Sequence, residues 1–355
     1  MRGAYPKRAI RDKCQQDRAF SFRLLRATIP FVVKKGVEVA QDLLLKADMR
    51  RSQRRRLKRY LPLYLMLAWP VGLLLVFHYI PIYGIVIAFK NFDPGLGILG
   101  SPWVGLRHFE RFVADPYFWK VLRNTIILGF YSLIFGFPAP IILALVLNEL
   151  RSQKFKRTVQ TVSYLPAFIS IVAIAGMIVN MLSPSRGIVN IMLMRLGAEP
   201  IYFMTEPRWF RFIYVSSGIW QGAGFGAIIY LAALAGVNPE LYEAATIDGA
   251  HRFQQMRHIS LQCIKPTISI LLILAVPGIL AANLEKVLLL YNPLVYEVAD
   301  TLPTYMYRRA LVGGDFEYGA AVGFVNSVVA FLLIFTANSA ARRFSDQAEG
   351  GGTLW

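Results

Sequence analysis

Six apolar runs, near residues 63–89, 121–147, 159–183, 210–236, 267–292 and 319–341, constrain this chain more than any other feature of it. Each holds the ~20 residues that a helix needs to cross about 30 Å of hydrocarbon. Six runs of that length do not fit the core of one soluble domain. Composition agrees, with 55% of the 355 residues hydrophobic and 17% charged. Pro70, Gly72 and Pro81 interrupt the first run, and Pro138 and Pro140 the second. Such breaks are tolerated in membranes where neighbouring helices re-satisfy the freed backbone groups. The expected fold class is an all-α integral membrane protein with six transmembrane helices.

Charge sets the expected orientation. With both termini on one side, residues 1–60, 148–158, 237–266 and 342–355 carry 27 of the 39 Lys and Arg residues. The positive-inside rule then places these segments and both termini in the cytoplasm. The formal net charge of +18 is thereby mostly a topology signal. Nucleic acid is not called for, because few aromatic residues interleave with the basic ones of the tail. That tail, residues 1–60, holds 18 basic and 5 acidic side chains and shows no cleavable signal peptide. Its run after Met49, RRSQRRRLKRY, suits anionic lipid headgroups at about 1 kcal/mol per basic residue. Phe20 to Leu45 reads as a frayed interfacial helix interrupted by Pro30 and Gly36. Cys14 and Cys263 are too far apart in sequence to imply a disulfide framework.

Between the fourth and fifth runs lies a polar island, NPELYEAATIDGAHRFQQMRHISLQCIKP, at residues 238–266. Asn238 followed by Pro239 predicts an N-cap and first helical residue, with Glu240 and Glu243 near the positive end of the helix dipole. Gly249 predicts a turn at positive φ, and His251 to His258 a second short helix at an angle to the first. From spacing alone, an ordinary loop accounts for this pattern as well.

Glu243-Ala244-Ala245, three residues, Gly249, nine residues and Ile259-Ser260-Leu261 resemble the EAA loop of permease subunits from binding-protein-dependent ABC importers. Gln262 stands where proline is usual in that loop, so the second helix is expected to run on further. YIPIYGIVIAFKNF, SPWVGLRHF, NTIILG, ALVLNELRSQKFKRTVQTVSYLPAFIS, LYNPLVYEVADTLPTYMYRRAL, DFEYGAAVGFVNSVV and the terminal Thr353-Leu354-Trp355 are similar to the LplB-related polysaccharide branch of the maltose-permease-like class. The resemblance runs from about residue 60 to the end of the chain and begins only after the basic run, which makes Met49 a second candidate start. Detection of Met1 by intact mass of the native protein would sink that idea.

The resemblance implies a type I ABC importer permease, MetI-like in fold. It also implies a partition into a basic cytoplasmic tail at 1–60, a permease domain at 61–345 with its coupling loop at 238–266, and a short tail at 346–355. In such proteins the loop docks on an ATPase; the contact residues implied here are Glu243, Ala244, Ala245, Asp248 and Gly249. Partners implied are a second permease subunit, two ATPase subunits and an extracytoplasmic solute-binding protein, in a prokaryotic cytoplasmic (inner) membrane. No lysine is followed by Ser or Thr, so no P-loop ending occurs in the chain. ATP and magnesium are thus expected on the partner, and no cofactor or catalytic residue on this chain. His251 and His258 are seven apart and do not have the spacing of a helical zinc pair, so no metal site is expected.

Polar residues in the later runs are the candidates for a substrate path. Asn283, Glu285 and Lys286 interrupt the fifth run, where a charge costs ~3 kcal/mol or more and must find partners. Glu285 and Lys286 are adjacent, so they point about 100° apart on a helix and do not suit each other. Trp220, Gln221 and the GAGFG that follows combine an aromatic face, an amide and close-packing glycines, as a sugar site would. Tyr291, Asn292 and Asn326 extend the set. Helix packing and hydrogen bonding between spans explain the same residues without any ligand. The expected function is import of an oligosaccharide or polysaccharide fragment by alternating access. A peptide or polyamine permease, or a membrane interaction or sensor protein on the same scaffold, stands as the alternative.

Overall fold

A computed structural model describes residues 60–345, the last six of them as backbone only. The expectations for the basic tail, including its lipid-binding run, its interfacial helix and Cys14, and for the tail at 346–355 lie outside the described residues. The chain divides between Ile82 and Tyr83 into two compact units. Within the described residues, the first contributes the helical residues 60–82, which carry a π turn at Leu75–Tyr79.

The regular structure of the second unit's described part is helix, joined by loops, with one isolated bridge between Lys90 and Trp103. We label the helices used below α1 (Tyr60–Phe89), α2 (Pro116–Asn148), α3 (Gln153–Phe168), α4 (Ile171–Met181), α5 (Pro207–Ala235), α6 (Pro239–Ile247), α7 (Arg252–Cys263), α8 (Lys265–Leu280), α9 (Leu284–Leu290) and α10 (Phe316–Ser345). Helices α1, α2, α5 and α10 are long and apolar enough to cross a membrane singly, while α3–α4 and α7–α8 do so as bent pairs. Counting each pair as one span gives six among the described residues.

Local chemistry explains the boundaries. The Asp115 carboxylate accepts from the Tyr117 N–H at 2.9 Å and Pro116 opens α2, a side-chain cap followed by the residue best suited to the first turn. A π turn at Ser132–Gly136 precedes Pro138, whose ring and missing N–H disturb the helix ladder there. The third apolar run is not straight: α3 and α4 meet at 100°, after Pro166 and at Ser170, which caps α4 through Ala173 N–H. Nor is the fifth run continuous. Helix α8 ends in a tight turn over Val276–Leu280, residues 281–283 are non-helical, and Asn283 caps a new helix, α9. Pro277 and Gly278 weaken the helix and the Asn283 side chain starts the next one, so two elements replace one span.

Three apolar clusters lie along the second unit. Near the end opposite the 238–266 loop, Phe112, Phe118, Val121, Leu302, Tyr305 and Tyr318 pack together. In the middle, Leu128 meets Phe210, Tyr214, Val287 and Leu290. At the loop end, Ile141, Leu145, Tyr230, Leu234 and Ile264 join α2, α5 and the α7–α8 bend. Close backbone approach ties these layers: a Cβ on Gly224 of α5 would lie 1.8 Å from the Ser163 carbonyl oxygen of α3, so only glycine fits.

Candidate functional site

Two places gather the candidate residues. The first is the 238–266 hairpin. Asn238 Oδ1 accepts from the Glu240 N–H at 3.1 Å, and Pro239 opens α6. Gly249 turns the chain at φ 78°, and His251 with Gln254 forms a capping box that starts α7. Helix α7 runs through Gln262 to Cys263, with a π turn at Met256–Ser260. Substitution of the usual proline by Gln262 leaves nothing to stop it, and the bend of 62° comes later, before Pro266.

Few bonds hold α6 against α7. Gln255 Nε2 donates to Thr246 Oγ1 at 2.9 Å and to the Ala250 carbonyl at 3.0 Å, and the Tyr242 and Ser260 hydroxyls lie 2.9 Å apart. Between the helices opens a cleft of about 360 Å³ lined by Ala245, Asp248, Gly249, Gln254, His258 and Ile259. Glu243 and Ala244 are exposed beside it, and Glu243 has no hydrogen-bond or ionic partner among the described residues. Ile247, at the end of α6, is 86% exposed. An apolar tip, small side chains and a free carboxylate form a surface that another protein could cover.

The second place is a cavity of about 410 Å³ between α2, α4, α5 and the α8–α9 break, lined among others by Ser132, Tyr214, Gly218, Gln221, Asn283 and Lys286. Lys286 is buried; its Nζ donates to the Tyr214 carbonyl at 2.8 Å and sits 4.6 Å from the centre of the Tyr214 ring. Asn283 Oδ1 accepts from the Lys286 N–H at 2.8 Å, while the Asn283 N–H donates to the Tyr214 hydroxyl at 3.0 Å. Gln221 Nε2 reaches the Ile169 carbonyl at 3.4 Å.

The remaining candidates are placed elsewhere. Trp220 is half exposed on the outer face of α5, one residue and about 100° from Gln221. Glu285 is likewise exposed, turned away from Lys286. Tyr291 packs on Tyr296 at 4.8 Å, and Asn292 caps the turn at Pro293 while donating to the Met204 carbonyl at 2.7 Å. Asn326 lies in α10 with a buried Oδ1 that has no hydrogen-bond partner among the described residues, and it does not line the cavity.

Sequence reading missed Tyr214, which holds both Asn283 and Lys286, and the charged network at the end opposite the loop. There Asp300, fully buried, receives both guanidinium nitrogens of Arg308 and the hydroxyls of Thr304 and Tyr117. Arg309 bridges Asp115 at 3.0 Å and Asp315 at 3.3 Å. Burial pushes the Asp115 carboxyl up, but hydrogen bonds from Tyr305 and the Tyr117 N–H, with the charge of Arg309, outweigh it and hold its pKa below the ordinary value. The signals for this network were the doublet Arg308-Arg309 and the outlying Asp300 and Asp315.

Comparison with known proteins identifies the scaffold. Residues 136–347 match the model of the "Binding-protein-dependent transport system inner membrane component" family. The polygalacturonan/rhamnogalacturonan transport system permease protein YteP of Bacillus subtilis is 42% identical over 305 residues, 86% of this chain and 95% of that one. LplB of the same organism is 43% identical over 82% of this chain and 92% of its own. A crystal structure of a bacterial ABC transporter involved in import of the acidic polysaccharide alginate contains a chain 45% identical, with a TM-score of 0.75 over 81% of this chain and 98% of that one. A second structure of an alginate transporter, in complex with an alginate pentasaccharide-bound periplasmic protein, contains a chain 44% identical at the same TM-score. The fold is accordingly MetI-like, and the chain is a transport subunit and not an enzyme. It belongs to the family of inner-membrane permease components of binding-protein-dependent ABC importers.

Proposed function

We propose that this chain is one of two permease subunits in an ATP-driven importer of oligosaccharides or polysaccharide fragments. The observation that carries the reading is the cavity between α2, α4, α5 and the α8–α9 break, where Gln221, Asn283 and Lys286 offer polar groups within an apolar bundle. Amides suit sugar hydroxyls, and a cleft of a few hundred cubic ångströms suits a short saccharide. Relatives that carry polysaccharide or oligosaccharide transport in their names support the substrate class. A cation at the cavity wall disfavours a polyamine.

Import then couples to the 238–266 hairpin. Both termini and this hairpin face the cytoplasm, in accord with the basic residues flanking the spans. Two ATPase subunits bind the nucleotide and its magnesium, and one of them receives α6 and Ile247 in a cleft, with Glu243 facing a basic residue. Closure of the ATPases draws the hairpin, rocks the bundle and alternates access to the cavity. An extracytoplasmic binding protein delivers substrate at the opposite end.

Uptake of labelled oligosaccharides into proteoliposomes, with the co-purified second permease, the ATPase and the binding protein present and ATP inside, tests this. Saccharide uptake that disappears with Glu243→Lys is the expected result. Uptake of peptides or polyamines with no saccharide would overturn the substrate class.

A further inference from the structure

Charged groups in the second unit fall into two kinds. Asp300 with Arg308, and Asp115 and Asp315 with Arg309, are cations matched by carboxylates. Two others are not. Lys286, 5% exposed, has a backbone carbonyl and a ring as its partners, and no carboxylate pairs with it among the described residues. Arg211 of α5 touches Asn124 Oδ1 at 3.5 Å, has a buried Nε without a hydrogen bond, and forms no ion pair among the described residues. Asp300, whose carbonyl holds Asn124, is already committed to Arg308 and Thr304 through its carboxylate.

Both cations lie along one stripe of α5. Arg211, Val215, Gly218 and Gly222 recur at helical spacing along α5, and the last three line the cavity. A Cβ on Gly218 would stand 3.2 Å from Lys286 Nζ, so the ammonium lies directly against that stripe. Buried charges are retained where something pairs with them, and no carboxylate does so here among the described residues. The Nζ also keeps donors that the Tyr214 carbonyl does not use. Asn283, capping through its Oδ1, leaves its Nδ2 without a partner among the described residues on the same wall.

We propose that Lys286, assisted by Arg211, reads carboxylate groups on the transported saccharide, so that the cavity selects an acidic oligosaccharide over its neutral counterpart. This rests on the proposed function for the word saccharide, while the selection of anions rests on the two cations alone. An acidic sugar entering from the end opposite the hairpin meets Arg211 first and Lys286 next, and its carboxylates complete pairs that the protein leaves open. Discrimination follows because a neutral sugar leaves the buried ammonium unmatched.

The test uses the complete importer in proteoliposomes, with a uronate oligosaccharide and its carboxyl-reduced, neutral form as competing labelled substrates. The wild type is expected to favour the acid by about tenfold or more, Lys286→Gln to lose most of that preference, and Lys286→Arg to keep it. Equal uptake of acid and neutral forms by the wild type overturns the inference even if Lys286→Gln does not assemble. An unchanged acid-to-neutral ratio in an assembled Lys286→Gln importer overturns it as well. Import of acidic peptides and of no saccharide, lost in Lys286→Gln, would overturn the proposed function while leaving the role of the cation standing.

Discussion

The two ends of the second unit are built on opposite plans. At the hairpin end, α6 and α7 are joined by the Gln255 bonds and the Tyr242–Ser260 contact, and Glu243, Ala244 and Ile247 face outward. At the other end, Asp300 is wholly enclosed and shared among Arg308, Thr304 and Tyr117. One end leaves its groups exposed; the other engages them within the chain. The proposed function needs both, a surface that another subunit can grip and a clasp that keeps the starts of α2 and α10 in register while it is pulled.

Removing Asp300 should break the comparison most visibly. Asp300→Ala strands the Arg308 guanidinium and is expected to cost ~3–5 kcal/mol, the range for breaking a buried pair from one side. Thermal unfolding in detergent would register it as a large loss of midpoint or as failure to purify folded protein. Gln255→Ala at the hairpin should cost only ~0.5–1.5 kcal/mol, since its bonds are near solvent and water replaces them. A larger loss there would mean that the hairpin is as rigid as the clasp.

Acid sharpens the same contrast. Asp115 has a folded pKa below its ordinary 3.8, so the stability it contributes is present above that ordinary value and is lost as pH falls through the folded one. Unfolding midpoints should therefore drop more steeply below about pH 4 in the wild type than in Asp115→Asn, and parallel profiles would argue against the bond set at Asp115. Glu243→Lys should have the smallest effect on stability, within ~0.5 kcal/mol for an unpaired surface residue, while abolishing uptake. A strongly destabilised Glu243→Lys protein would remove the distinction between a gripping surface and a structural one.

How much of this was legible beforehand follows the reach of each signal. The hairpin was readable because its causes are local: Asn238 and Pro239 start α6, Gly249 turns, and Gln262 lets α7 continue. Residue types in the cavity were readable too, but their directions were not. Whether Trp220 or Gln221 faces inward depends on the rotation of α5, which Gly224 sets through its contact with Ser163. The pairing within the clasp was not legible, because Tyr117 and Asp300 are 183 residues apart and Arg309 and Asp115 are 194 apart. No periodicity links positions so distant, and only the folded chain brings them together. The break at 281–283 lay between these cases, with Pro277, Gly278 and Asn283 in plain view inside a run apolar enough to pass for one helix.

That break acts as a joint. A rigid rod passes any tilt at one end to the other, whereas a non-helical link of three residues can absorb it. The rod on the hairpin side is α8, seated through Ile264 among residues of α2 and α5. Beyond the link, α9 is fixed in the middle cluster by Val287 and Leu290, and the link itself is pinned to the Tyr214 hydroxyl. In the proposed mechanism a pull on the hairpin swings α8, while Lys286 on α9 keeps its station against α5. The charge proposed to read the cargo is thus mounted on the stator and not on the lever.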